Sequence, residues 1–581
     1  MNILYWLKKF FSPKFQQAVF IKLSLREKLI LLGGIAIFIT SGFLLFSQWF
    51  NQNTQTIPIN GGTLKEGIVG QPTFINPIFS QSNEVDRDLS SLIFSSILKS
   101  NGGGGFAFDL AFDIKVEEEG KVWNIYLKDN IFWHDGKQLT SDDVIFTIET
   151  IQNPATRSPL FTSWQGVTTE RVSKRAVKLI LKNPYYFFEN NLRDLKIIPQ
   201  HLFANIPPEN IKLSEYGLTP IGSGPFKFKS VKKRRDGFIT DFILEANKDY
   251  YDKKPYLNNL VIKFYPNEEE LIRAFNYRLI DSFGGISAKN LKEVYRRHQL
   301  FEFYQPKYYA LFFNQTLTKP LQDKNVRIAL NLALDKSSII KKVFDGRAFV
   351  AEGPILPFMK GYNRIANETQ EETGSLKKAE EILETAGWKI KENDENGKIR
   401  SKLIENQETP LEFEVIVPQS EILIETARIL EEIWTKIGVK VNLKIVSLTE
   451  IENNYFNNRS YQIIIFGNIL NNEPDLFSFW HSSQKFPPGL NLALYENKTV
   501  DALIEKSRQN PDQEERLKDL TSIQDLIKQD RPAVFLYSPI YLYIVSNKLK
   551  GLETKVITLP SERFIDISNW SIKQIKEIKN G

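Results

Sequence analysis

From Leu29 to Phe46 the chain reads LILLGGIAIFITSGFLLF, eighteen residues without a charge, and the uncharged stretch runs on to Leu64. No other feature restricts the fold so strongly. An α-helix rises 1.5 Å per residue, so about 20 apolar residues cross the hydrocarbon of a bilayer. A helix buried in a globular core is the alternative, and the flanks weigh against it. Lys8, Lys9, Lys14, Lys22, Arg26 and Lys28 precede the run against one acid, Glu27, and no basic residue follows before Lys65. That asymmetry keeps the N-terminus in the cytoplasm and carries everything after Phe50 to the outside. No small-residue A-x-A site follows, and the basic region is long for a cleaved signal, so the segment reads as an uncleaved signal anchor. The expected order is a cytoplasmic basic segment 1–28, a transmembrane anchor 29–50 and a polar tether 51–60. Within the first of these, residues 1–23 mix Lys with Trp and Phe, which suits the inner membrane face.

The net charge of +6 looks at first like a nucleic-acid signal, but residues 1–28 hold six basic side chains against one acid and so supply +5 of it. A body near +1 does not suit a phosphate-backbone binder. The basic run Lys232–Arg235 is followed by Asp236-Gly237 between two apolar runs and reads as a solvated hairpin tip. The chain has no Cys, which excludes disulfides, thiolate metal sites, cysteine nucleophiles and a lipid-modified N-terminal cysteine. The protein anchor then takes the retaining role that a lipid plays elsewhere.

The four histidines, His134, His201, His298 and His481, are far apart in sequence, so a multi-histidine metal centre is not expected. There is no G-x-S-x-G elbow, Walker loop, H-E-x-x-H, or G-x-G-x-x-G after a strand. Gly102–Gly105 lacks the Lys-Ser/Thr of a phosphate loop, Asp142-Asp143 suits a helix start, and His134 sits alone in a Trp-His-Asp-Gly turn. The chain is expected to be no enzyme and to carry neither cofactor nor metal.

Residues 61–575 read as one large mixed α/β body without repeats. Asp109–Phe132 alternates as strands do, and Thr140 with Asp143 makes a capping box for a helix that Asn153-Pro154 stops. Its buried stripe is Val144, Ile145, Ile148 and Ile151. Leu411, Phe413, Val415 and Val417 alternate as a strand, a helix follows from about Glu421 to Ile437 and ends at Gly438, and Val439, Val441, Leu443 and Ile445 make the next strand. This is a βαβ unit with a parallel pair. Ile463–Phe466 is a continuous apolar run, a strand buried on both faces that is expected to end at Gly467-Asn468. Ligands of open α/β sheets bind beyond the carboxyl ends of such strands, which makes the loop from Gly467 to Trp480 a pocket candidate.

These residues together resemble a family: the extracytoplasmic solute-binding proteins of the oligopeptide/dipeptide/nickel class (family 5), which feed ABC-type importers. The likeness runs in order from about Gly62 to Trp570. It begins with Gln71-Pro72-Thr73-Phe74-Ile75-Asn76-Pro77 and continues through Leu127-Lys128-Asp129, Phe132–Lys137 and Thr140–Val144. Ile221-Gly222-Ser223-Gly224-Pro225-Phe226 and Asn247–Tyr251 follow. Downstream come Leu311–Asn314, Val326–Leu330, Ala333–Lys336, Ala386-Gly387-Trp388, Glu473-Pro474-Asp475 with Trp480, Val500–Leu503 and Gln529–Ala533. Single motifs are weak, whereas their order and spacing are specific.

The resemblance implies a two-lobed α/β fold of the periplasmic-binding-protein type (type II), closing on a ligand by hinge motion. Lobe 1 would span 61–305, with an inserted subdomain near 96–200, lobe 2 would span 306–532, and 533–581 would return to lobe 1. It further implies a monomer that captures peptides or similar solutes and delivers them to an ABC permease. In peptide-binding relatives an Asp four residues before the loop proline pairs with the ligand's α-amino group, and here that position is Leu470. A leucine cannot form the ion pair. The resemblance leaves backbone groups at Gly467, Asn468 and Ile469, the acids Glu473 and Asp475, and Ile78, Phe79 and Ser80 of the other lobe as ligand-site candidates. Phe466 and Trp480 read as core more readily than as ligand platforms. The alternative is a surface-anchored sensor or interaction module that kept the fold. An extracytoplasmic hydrolase is disfavoured, because no nucleophile–base pair is readable.

Overall fold

The computed structural model describes residues 24–362, 374–390, 399–471 and 473–578. The expected membrane-face stretch 1–23 lies outside them. The chain forms two compact units, one made of the residues up to Ile59 with those from Lys573 on, the other of Asn60–Ile572.

The first unit is built on one α-helix, Leu25–Asn53. Ser24 caps it: its hydroxyl accepts from the Glu27 N–H, and the Glu27 carboxylate accepts from the Ser24 N–H at 2.8 Å. No residue of the helix is buried, and it is the one described helix long and apolar enough to cross a membrane. The expected tether is different in the structure. The helix continues to Asn53, and Thr54–Pro58 is a strand paired antiparallel with Gln574–Ile578, from Thr54 opposite Ile578 to Pro58 opposite Gln574. The alternating Thr-Gln-Thr-Ile sequence suits a strand, but its partner lies at the far end of the chain, so nothing local announced the pairing. Lys576 bonds Asn51 and lies 5.4 Å from the Phe50 ring, fastening this ribbon to the end of the helix.

The second unit is a mixed α/β body around a twelve-stranded sheet. One end is the parallel arrangement that the sequence announced: Glu412–Pro418 pairs in parallel with Lys440–Val446 on one side and with Ile463–Ile469 on the other. The helix between the first two, Glu421–Lys436, ends in a Schellman turn, with Gly438 at φ +81° and the Val439 N–H bonded to the Trp434 carbonyl. Lys307–Phe313 then adds antiparallel to Ile463–Ile469. At the other end, Thr63–Val69 lies beside Asn259–Tyr265, followed by the hairpin of Ile239–Ala246 and Phe226–Lys233, whose tip carries Arg234–Gly237.

The strand Ala533–Ser546 joins the two ends. Up to Tyr537 it pairs with Lys307–Phe313, and beyond Ile540 with His298–Tyr304. The apolar side chains divide in the same way. Val534, Leu536 and Tyr537 pack with Trp434 and Phe413, whereas Tyr543 and Val545 pack with Leu64 and Trp570. The chain therefore passes between lobes at Gln305-Pro306 and again within this strand around Pro539, rather than at 533. An antiparallel sheet of Ala111–Glu117, Val122–Leu127, Ala176–Ile180 and Thr168–Ser173 forms the inserted part. Its helix Ser141–Gln152 has the Thr140–Asp143 capping box.

Lobe 1 encloses a buried charge cluster. Arg563 reaches Asp88 with both terminal nitrogens, at 2.9 and 2.6 Å, and Glu66 with Nε at 3.2 Å. The Tyr543 hydroxyl donates to Glu66 at 2.8 Å, and the Ser282 hydroxyl donates to the same oxygen. Burial pushes the Glu66 carboxyl up against the pull of Arg563. Glu66 and Asp88, from separate segments, thus converge on one guanidinium, Ser282 and Tyr543 join through Glu66, and loss of Arg563 would leave two carboxylates stranded in the core.

Candidate functional site

The lobes enclose a chamber of about 430 Å³, within the range of small-molecule sites. Lobe 2 brings the carboxyl ends of two neighbouring parallel strands to it, through Ile469 at the end of one and Ser420–Ile422 after the other. This is where an open α/β sheet is expected to hold a ligand. Lys307 and Tyr309 come from the adjoining strand, and Arg347 from the turn before Ala348–Val350. Lobe 1 supplies Arg87, Gly285-Ile286, Lys289, Tyr541 and Leu559. Both passages between the lobes, at Gln305 and at Pro539-Ile540, line the chamber, so a change of hinge angle changes its shape.

Charged side chains ring the chamber beside the aromatic rings of Tyr309, Phe344 and Tyr541. Lys289 of lobe 1 reaches Glu425 of lobe 2 at 2.6 Å, bridging the rim. Arg347 pairs with Glu302 at 3.2 Å beside the hinge. The Arg87 guanidinium bonds the Gln81 carbonyl and stands 3.5 Å from Glu84. The Lys307 ammonium lies over the Tyr309 ring at 4.9 Å. Such a ring favours a polar solute with opposite charges or a peptide-like backbone. Among the described residues no group of three His, Asp or Glu is placed to hold a metal ion.

The structure disperses the residues singled out from the sequence. Of them, only Ile469 lines the chamber. Ile463–Ile469 is a strand three residues longer than expected, because Gly467, Asn468 and Ile469 remain paired with Tyr309, Tyr308 and Lys307. Gly467 has a reason of its own: a Cβ there would stand 2.8 Å from the Tyr309 ring that crosses it. Asn468 is buried, its amide donating to the Tyr308 hydroxyl at 3.1 Å. Leu470 is core, and its N–H bonds the Pro306 carbonyl.

Glu473 pairs with Arg516 at 2.8 Å, and Asp475 accepts from Arg508 Nε at 3.1 Å and from the Tyr185 hydroxyl at 2.9 Å. Ile78 and Phe79 are buried, Phe79 edge-on to Phe74. Ser80 faces a different cavity of about 310 Å³ inside lobe 1, walled by Arg193, Lys196 and Glu562 among others. Trp480 is fully buried and Phe466 packs edge-on to Phe456.

The chamber residues that sequence reasoning missed, chiefly Lys289, Lys307, Arg347 and Tyr541, share no local motif. Lys307 alone carried a hint, standing just after Pro306 at the head of an apolar strand.

His134 is structural in its bonding. Its Nδ1 accepts from the Gly222 N–H at 3.2 Å and its Nε2 meets the Gly224 carbonyl at 3.1 Å, a pattern that requires the neutral ring with the proton on Nε2. Burial pushes its pKa down to about 4.

A two-lobed α/β body with a solute-sized chamber spanning its hinge defines a binding protein that closes on its ligand. The comparisons give the family. The sequence profile of the bacterial extracellular solute-binding proteins, family 5 (middle region), matches residues 106–487. The oligopeptide-binding protein AppA of Bacillus subtilis is 28% identical over 525 residues, covering 88% of this chain and 92% of its own. The structure of that protein in complex with a nonapeptide superposes with a TM-score of 0.70 at 27% identity, over 89% of this chain and 99% of the other. The ABC transporter substrate-binding protein CtaP of Listeria monocytogenes gives a TM-score of 0.73 at 25% identity, over 88% and 99%. The chain belongs to the family 5 extracellular solute-binding proteins.

Proposed function

We propose that the protein is a membrane-anchored extracytoplasmic binding protein that captures peptides or peptide-like solutes between its lobes and hands them to an ABC permease. The observation that carries this reading is the chamber itself. It is walled by both lobes, lies at the carboxyl ends of parallel strands and is spanned by both hinge passages. A solute touching both walls favours the closed state by its differential affinity and stabilises the folded protein by mass action.

The relatives support the chemistry of the solute, since AppA is named for oligopeptides. The charge asymmetry around Leu29–Phe46 and the exposed apolar surface of Leu25–Asn53 support retention in the membrane. The buried Leu470 supports a solute gripped without the familiar amine–carboxylate pair: a blocked or internal peptide segment, or a non-peptide solute.

The test is to wash membranes with high salt, extract the full chain in mild detergent, and identify by mass spectrometry what it carries. Peptide-like solute, together with a higher Tm when that solute is added back, is the expected result. A chain released by the wash would overturn the anchor. A chain that carries nothing and shows no thermal shift with peptide libraries would overturn the binding reading in favour of a surface interaction module.

A further inference from the structure

The lobes meet a second time, away from the chamber. In the inserted part, Tyr185–Phe188 follows the strand Ala176–Ile180, and these aromatic residues lie against the loop around Pro474 and the helices Lys498–Gln509 and Gln513–Asp530 of lobe 2. Asp475 is the centre. One carboxylate oxygen accepts from the Tyr185 hydroxyl at 2.9 Å and from Arg508 Nε at 3.1 Å, and the other accepts from the Phe477 N–H at 3.0 Å. The Arg508 guanidinium is sandwiched, 4.8 Å from the Tyr185 ring and 4.2 Å from that of Phe477. The Arg508 carbonyl accepts from the Tyr186 N–H at 2.9 Å. Arg516, held by Glu473, sits 5.7 Å from the rings of both Tyr186 and Phe187. Burial and the Asp475 charge raise the Tyr185 pKa well above its ordinary value, so its hydroxyl remains a donor.

Cation–π stacking, a charge-assisted hydrogen bond and a backbone hydrogen bond therefore act together across the lobes. None of Tyr185, Asp475 and Arg508 lines the hinge-side chamber; all three line a separate open groove between the inserted part and lobe 2. A solute confined to the chamber leaves these contacts whole. A solute that reaches into the groove lined by Tyr185, Asp475 and Arg508 competes with these contacts.

We propose that Tyr185, Asp475 and Arg508 form a clasp that limits the length of the solute the closed protein accepts. The proposal rests on the binding reading above and goes further, because it ascribes selectivity to residues that need not touch the ligand.

The experiment presents the full chain in detergent with mixed peptide libraries of two to nine residues and measures retained length by mass spectrometry, for wild type, Tyr185→Phe and Arg508→Ala. Wild type is expected to retain the shorter members, and both variants to enrich the longer members at least tenfold over wild type. Because the natural chain has no cysteine, Leu213→Cys and Leu448→Cys, exposed on lobe 1 and on lobe 2 respectively, give a clean spin-label pair. Their distance is expected to lengthen in ligand-free Tyr185→Phe, a variant mild enough to keep the fold. Equal length profiles in wild type and variants, or an unchanged label distance, would overturn the clasp alone. A wild type that retains no peptide overturns the binding reading, and the length limit with it.

Discussion

Arg563 and Arg508 are set in nearly the same chemistry and serve different ends. Each guanidinium faces a carboxylate and an aromatic face, and in each cluster a tyrosine hydroxyl donates to a carboxylate: Tyr543 to Glu66 beside Arg563, and Tyr185 to Asp475 beside Arg508. Arg563 is 2% exposed, and all its partners belong to lobe 1. Arg508 is 30% exposed, and its aromatic partners come from both sides of the cleft. Burial converts the first into a condition of folding, since a charge left without its partner in the core is costly. Partial exposure and a partner on the moving lobe convert the second into a condition of closure, weak enough to be broken and remade. What such a cluster does is therefore decided less by its ion pair than by whether one rigid body owns all its members.

The largest expected effect bears on the buried member. Arg563→Met should lower the unfolding free energy by about 3–5 kcal/mol, because Asp88 and Glu66 are left facing each other without a cation. Chemical denaturation measures it, and a variant as stable as wild type would break the contrast at its root.

Acid tests the same lobe by another route. The neutral ring of His134 is favoured in the folded state, its pKa lowered from 6.5 to about 4. Its contribution is thus present above pH 6.5 and is lost as pH falls toward 4. Between pH 7 and 4.5 this amounts to about 2 kcal/mol. His134→Gln should flatten the pH dependence of stability over that window, and an unchanged slope would show that the ring does not carry it.

The smallest effect concerns another cross-lobe pair. Lys289 and Glu425 are each more than a third exposed, so Lys289→Ala should cost less than about 1 kcal/mol in thermal unfolding. A larger loss would mean that the chamber rim, and not only the clasp, holds the lobes together.

What could be read from the sequence was local. The Thr140–Asp143 capping box, the stop at Asn153-Pro154 and the turn at Gly438 each depend on residues within one turn of one another, and the structure has all three. The parallel unit from Leu411 to Val446 was legible because alternation and helical period follow each other without interruption. The end of Ile463–Ile469 was misjudged because its last three residues are kept in the sheet by Lys307–Tyr309, a partner far upstream that the apolar run does not mention. The chamber and the clasp were invisible for the same reason. Tyr185 and Asp475 are 290 residues apart, and no periodicity encodes such a pair. The family likeness pointed to the Pro474 loop, but the side chains there face the inserted part and the helices beside it.

The ribbon of Thr54–Pro58 with Gln574–Ile578 sets an order of events during synthesis. Its first strand leaves the ribosome directly behind the apolar helix Leu25–Asn53, and its second only after the whole of residues 60–572 has been made. Domains fold as they emerge, so the body has the opportunity to form while Thr54–Pro58 still has both its edges unpaired. A chain interrupted anywhere within the body would keep the apolar helix yet leave that strand an open template for pairing with another chain. The ribbon thus separates molecules whose body has been made from those in which it has not, at the end of the apolar helix.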